Sequence, residues 1–157
     1  MTRAAVRPAT LCDAPAIAAL LPDLGYPATV DAVERRLTRL ADGPDNAVLV
    51  AERDGALVGL CHIQGVPLLA SDGYAEVQAL VVAADARRQG IGGSLVRAAL
   101  AWAGERGYTR VRLRSGLHRT DAHRFYRSLG FSQGRASHAF ERGQGQQLAI
   151  RREQRAA

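Results

Sequence analysis

Cysteine is scarce in this sequence: Cys12 and Cys61 are the two present, far apart and without the paired spacing of a zinc site. They read as ordinary thiols of a reducing compartment, and no disulfide framework follows. Also missing is any run of about 18 apolar residues, so no segment reads as a membrane-spanning helix and no membrane partner is expected. Met1 to Thr10 holds two arginines and a proline but no apolar stretch of the secretory kind. A soluble, cytoplasmic chain is the expectation. Aromatic residues make up only 5%, and no basic run is interleaved with stacking side chains, which weighs against a nucleic-acid partner. Yet the formal net charge is +6 and the sequence pI near 10.3, largely from arginine. That surplus fits an anionic small ligand, and it is also what a GC-rich genome produces.

What is present suffices for one core. With 47% apolar residues in 157, the chain is long enough for one domain and short for two. Residues 1–142 are read as that domain and 143–157 as a polar, basic tail or an added strand. Thr10 and Asp13 can cap a helix in which Ile17, Leu20 and Leu21 recur at helical spacing, with Pro22 stopping it. Thr29 or Asp31 can cap a second, with Val33, Leu37 and Leu40 on one stripe, ended by Asp42-Gly43-Pro44. The period then changes to that of strands. Ala47–Ala51 and Leu57–Ile63 flank Arg53-Asp54-Gly55 as a hairpin, and Glu76–Val82 is the clearest buried strand. A helix follows over 92–105, with Leu95, Val96, Ala99, Leu100 and Ala103 inward. A short strand over 111–114 and a helix over 120–129, capped by Thr120 and left through Gly130-Phe131, come next. Ala136–Phe140 and Gln147–Arg151 are further candidate apolar or strand segments.

Between the clearest strand and the amphipathic helix after it lies Arg87-Arg88-Gln89-Gly90-Ile91-Gly92-Gly93. Glycines there let consecutive N–H groups approach phosphate oxygens, the helix dipole adds positive charge, and Arg87 and Arg88 supply counter-charge. The turn suits a pyrophosphate; equally, it can be a glycine-rich connection with solvated arginines. A Gly-Lys-Ser/Thr ending is absent, and the glycine spacing and late position differ from the dinucleotide fingerprint.

Arg87-x-x-Gly90-x-Gly92 after an apolar strand resembles the acetyl-CoA pyrophosphate loop of the GNAT acetyltransferase superfamily. Ala122-His123-Arg124-Phe125-Tyr126-Arg127-Ser128-Leu129-Gly130-Phe131 is similar to that family's penultimate helix. The resemblance implies an α/β (α+β) fold. Its mixed, mostly antiparallel sheet of six to seven strands splays between the fourth and fifth, flanked by about four helices. It implies acetyl-CoA as co-substrate, held along Leu80, Val81 and Val82 and by Arg87, Arg88, Gln89, Gly90, Ile91, Gly92, Gly93 and Ser94. Many members carry a cofactor-touching asparagine seven residues before the helix tyrosine; here Arg119 stands at that position, a candidate contact to phosphate or carbonyl. A monomer or homodimer fits the family.

Acyl transfer to an amine needs a neutral amine, a stabilised oxyanion and a proton for the departing thiolate. By the resemblance Tyr126 is the general acid and Glu76 the general base, with the Val82 N–H at the oxyanion. Tyr126 can also be a packing aromatic, and Glu76 a solvated strand-end charge. Six residues separate Glu76 from Val82, and an even separation puts both side chains on one face. His62 and His123 have suitable chemistry without positional support. No metal cluster or nucleophile-histidine spacing appears, so direct transfer in a ternary complex is expected, without a metal. The family's acceptor side implicates Leu24, Gly25 and Tyr26, with Gln78 beside Glu76. This mildly acidic rim suits a small-molecule amine. Protein lysines or N-termini, and a non-catalytic acyl-CoA-binding module, are the alternatives.

Overall fold

The computed structural model describes residues 2–144, so Gln147–Arg151 lies outside the described residues. In chain order the elements are β1 (Ala5–Pro8), α1 (Ala14–Leu24), α2 (Val30–Ala41), β2 (Asn46–Arg53), β3 (Ala56–Val66) and β4 (Tyr74–Val82). They continue with α3 (Ile91–Glu105), β5 (Val111–Leu113) and α4 (Thr120–Ser128). Five strands form one sheet in sequence order; every neighbouring pair is antiparallel except β4 and β5, which run parallel. The mixed α/β architecture expected from sequence is therefore present. Six to seven strands were expected, and the described residues form five. No strand forms over 136–140, where Phe140 is 95% exposed. Ser137 and His138 interrupt its apolar character, leaving little for a sheet face to bury.

Local chemistry explains most elements. Asp54 and Gly55 have φ of 52° and 78°, the paired left-handed conformation that matches the twist of a two-residue hairpin. The Thr29 hydroxyl accepts from the Ala32 N–H at 3.1 Å and starts α2. Pro22, expected to stop the first helix, is instead inside α1, which runs to Leu24. Its φ suits a helix, and near the C-terminal end the single lost N–H matters little. The helix closes through Tyr26 N–H to Leu21 O at 3.1 Å and Gly25 N–H to Pro22 O at 3.0 Å. α4 begins at Thr120 itself rather than after it. β1 was not visible in the sequence: four residues carry too little alternation, and its partner lies at Leu49–Glu52.

Strand alternation sorts the core into two layers. Leu49, Ala51, Cys61, Ile63, Ala75 and Val77 face α3, packing on Ile91, Leu95, Ala99 and Ala103. Val50, Leu60 and Val81 face the other way, onto Ile17 and Leu20 of α1 and Val33 of α2. Leu95, Val96, Ala99 and Ala103 are buried as the helical spacing requires, whereas Leu100 is only half-buried. Each fully buried aliphatic side chain contributes about 1.5–3 kcal/mol. α3 lies close against β3 because Gly59 has no side chain: a Cβ there would meet Leu95 Cδ1 at 2.9 Å.

One partly buried ion cluster ties β1 to the start of α1 and to β2. Asp13 accepts from Arg7 Nη1 and Nη2 at 2.8 and 2.9 Å and from the Thr10 N–H at 2.7 Å, while Arg7 Nε reaches Glu52 at 2.9 Å. These donors hold the Asp13 carboxyl down at about 2, from 3.8, chiefly through the hydrogen bonds from Arg7. The unfolded chain binds the proton first. Asp13 therefore contributes stability fully present above pH 3.8 and lost as pH falls through about 2. Replacing Asp13 by Ala is expected to cost about 2–3 kcal/mol, lowering Tm by about 5–10 °C in thermal denaturation at neutral pH. A shift under about 1 °C would show the cluster to be ornamental.

The chain divides into two compact units, Met1–Thr120 and Asp121–Ala157. The sheet, α1, α2 and α3 belong to the first.

Candidate active site

The parallel pairing of β4 with β5 covers only Ala75, Glu76 and Val77, although β4 continues to Val82. Beyond Val77 the two strands part. The Ala83 N–H donates to Val58 O at 2.9 Å across from β3. Antiparallel alternation then turns the main-chain groups of Val81 and Ala79 toward β3, and those of Val82 and Leu80 toward the opened side. Leu80 and Val82 thus present amide edges where a strand would otherwise bind, which an amide-bearing chain such as pantetheine can pair with. Just past β5, the Ser115 hydroxyl is buried without a hydrogen-bond partner.

β4 also carries a bulge. His62 pairs with Ala79 but Ile63 pairs with Val77, so Gln78 is an extra residue opposite the β3 ladder. This overturns the even-spacing inference for Glu76 and Val82. Ala75, Val77, Leu80 and Val82 share the α3 side of the sheet, while Val81 faces α1 and α2. Glu76 therefore leaves the opposite face from Val82, on the side where α1 and α2 pack. The bulge puts the side chains of Leu80 and Val82 on the α3 side and the Glu76 carboxylate on the other.

Past Val82, a single helical turn at Ala84–Ala86 leads into Arg87, whose Nε donates to Val82 O at 3.1 Å and ties the turn to the strand end. Arg88 has φ of 60° and Gly90 79°. Glycine takes that conformation without strain, whereas an arginine there costs roughly 1 kcal/mol that the surrounding turn must enforce. Gly90 is the residue before α3, and Ser94 N–H to Gly90 O at 3.0 Å is the first bond of the helix. Helix geometry leaves the amides of Ile91, Gly92 and Gly93 without an intrahelical acceptor, aimed at the space above the turn. A Cβ at Gly90 would meet nothing within 4 Å, whereas one at Gly93 would meet the Arg97 guanidinium at 3.3 Å.

Sequence reasoning missed three arginines here. A cavity of about 310 Å³ is lined by Arg3, Arg53, Gln89, Gly90, Ser94 and Arg97 among others. Arg53 hydrogen-bonds Gln89, and Arg97 lies within 3.5 Å of the Ser94 hydroxyl. Only the sheet order brings the β2–β3 turn to the start of α3; nothing local to Arg53 signals it.

Glu76 keeps 12% of its side chain exposed, with Arg114 Nε at 3.5 Å from one oxygen and Gln78 Nε2 at 3.5 Å from the other. The rim beside it is not acidic: Arg110 and Arg112 flank the Tyr74 ring next door, at 5.3 and 4.2 Å. Leu24 is half-buried at the end of α1, and Tyr26 is 71% exposed, so it does not staple the helix. His62 is drawn below its ordinary pKa by burial and pairs with Asn46 Oδ1 at 3.1 Å. Burial pushes the Cys61 thiol up to about 12, which makes it inert. Arg119 is exposed on the approach to α4.

The second unit carries Tyr126. Its ring is half-buried between Phe125 at 5.3 Å and Phe131 at 6.1 Å. Phe131 N–H to Tyr126 O at 3.1 Å and Gly130 N–H to Arg127 O at 3.0 Å close α4, so the Gly130-Phe131 exit read from the sequence fixes the tyrosine's surroundings. No helix among the described residues is long and apolar enough to cross a membrane, and no group of described His, Cys, Asp or Glu residues could hold a metal ion.

A strand edge opened beside a helix N-terminus thus gathers main-chain amides along one line. Residues 16–131 match the acetyltransferase (GNAT) family, and the chain belongs to that family. Among solved structures it resembles a transcriptional regulator from Bacillus halodurans C-125, with 26% identity over 88% of this chain and 99% of that one, TM-score 0.80. An aminoglycoside N-acetyltransferase in complex with coenzyme A shares 16% identity over 92% of this chain and 97% of that one, TM-score 0.81. Glucosamine-6-phosphate N-acetyltransferase from Arabidopsis thaliana shares 17% over 89% and 99%, TM-score 0.77. No curated protein matches the sequence closely enough to count as a relative.

Proposed function

We propose that the chain transfers the acetyl group of acetyl-CoA directly to a primary amine of a small molecule. The observation that carries this reading is the opened edge of β4, with Leu80 and Val82 turned away from β3 and running into the amides that begin α3. On this reading Leu80, Val81 and Val82 hold the pantetheine arm, and the segment Arg87–Ser94, with Arg119, neutralises the phosphates. Glu76 takes the proton from the incoming ammonium. The amine nitrogen then attacks the thioester carbon: a C–N bond forms, the C–S bond breaks, and the Val82 N–H meets the negative charge on the carbonyl oxygen. Tyr126 gives a proton to the departing sulfur, and the second proton shed by the nitrogen as the amide forms passes through solvent to restore the phenol. Leu24, Tyr26 and Gln78 border the acceptor.

Calorimetric titration of acetyl-CoA into the wild-type protein and a Gly92→Trp variant tests the binding half. Micromolar affinity is expected in the wild type. An indole rooted in the first turn of α3 would fill the space above the amides and weaken binding by at least about a hundredfold, roughly 2.7 kcal/mol. No heat with well-folded wild-type protein would overturn the reading. Where binding is seen, thiol release with a panel of amines tests the transfer.

A further inference from the structure

Arg110, Arg112 and Arg114 alternate along β5 and its two ends, so all three side chains leave one face of the strand. Parallel register puts Arg112 beside Glu76, which makes that face the one Glu76 occupies. Contacts within it are specific. Arg114 Nε lies 3.5 Å from Glu76, while Arg112 and Arg110 stand 4.2 and 5.3 Å from the Tyr74 ring centroid. One carboxylate thus answers three guanidinium groups, and among the described salt bridges the one reaching this ladder is Arg114 to Glu76. Like charges at alternate strand positions, roughly 7 Å apart, repel one another across a solvated face. The Tyr74 ring holds Arg112 in place by cation–π contact rather than by neutralising it. A guanidinium ordered in advance and still lacking a counter-charge is suited to receive an anion, because less freedom is lost on binding.

Resting on the acyl transfer proposed above, we infer that the acceptor is a small primary amine that also carries a carboxylate or phosphate. The anion seats on Arg112, with Arg110 beside it, and the amine lies toward Glu76. The spacing of neighbouring strands, about 4.8 Å, sets the two charges close enough to belong to one small molecule. A polycationic amine meets repulsion at the same face.

Thiol release from acetyl-CoA is to be compared within matched pairs: glucosamine 6-phosphate against glucosamine, and α-amino acids against their carboxamides, with spermidine as the polycation. In at least one pair the anionic member is expected to exceed its neutral partner in kcat/KM by about tenfold or more, as one charge-assisted hydrogen bond implies. Which pair responds tells phosphate from carboxylate. Arg112→Gln brings the ratio toward one, mainly by raising KM for the anionic acceptor; Arg112→Lys, which keeps the charge without the planar fork, restores part of it. Thermal melting of both variants checks that they fold. Neutral or polycationic acceptors turning over as fast as anionic ones, or an unchanged ratio in Arg112→Gln, would overturn the inference and leave acyl transfer standing. Absence of thiol release with every acceptor, from protein that binds acetyl-CoA, would overturn both.

Discussion

Substituting Glu76 by Gln is expected to lower kcat by about a hundredfold to a thousandfold while leaving acetyl-CoA affinity within about twofold of wild type. The substitution keeps size and hydrogen-bonding shape, so Gln78 and Arg114 retain a partner and the effect isolates proton acceptance. The side chain is only 12% exposed, on a strand fixed by pairing on both sides, and on the sheet face where α1 and α2 pack. An amine acceptor is protonated at neutral pH, so without a base only its small neutral fraction can react. The variant should therefore recover activity as pH rises toward the acceptor's own pKa, which a merely structural role would not produce. Pre-steady-state acetyl transfer measured across pH tests this. A kcat within about threefold of wild type at neutral pH would remove Glu76 from the chemistry.

The parts of this fold that could be read in the sequence are those decided locally. The Asp54-Gly55 turn demands left-handed backbone, and the alternation of Leu49, Val50 and Ala51 or of Leu60 and Cys61 sorts side chains between two layers by chain geometry alone. The turn from Arg87 to Gly93 was legible for the same reason: its glycines and the helix after it are one continuous segment. What escaped was set by partners distant in the chain. β1 exists because Glu52 to Leu49 offer it an edge and Arg7 finds Asp13 and Glu52. Arg53 reaches the start of α3 only through the sheet order. The bulge at Gln78 reverses the face of everything before it on β4, and a period-two reading carried straight across it puts Glu76 on the wrong side. Its signal is relational: one more residue on β4 than β3 can pair. The arginines of β5 escaped similarly, since Arg110, Arg112 and Arg114 acquire meaning only once Glu76 is their neighbour.

Tyr126→Phe is expected to reduce kcat by about a hundredfold with acetyl-CoA binding preserved, because the phenyl ring keeps the packing and removes only the hydroxyl. Phe125 and Phe131 would still contact the ring, and the closing bonds of α4 are main-chain, so the helix should be unaffected. The two substitutions make different demands on the substrate. Loss of a base is eased by an acceptor of lower pKa, whereas loss of an acid is eased by a better leaving group. A thioester whose thiol is more acidic should therefore rescue Tyr126→Phe more than Glu76→Gln, and a less basic amine should do the reverse. Crossed rescue of this kind assigns each residue its proton. Equal rescue of both variants by either change would mean that neither residue handles the proton given to it here, even if both lower the rate.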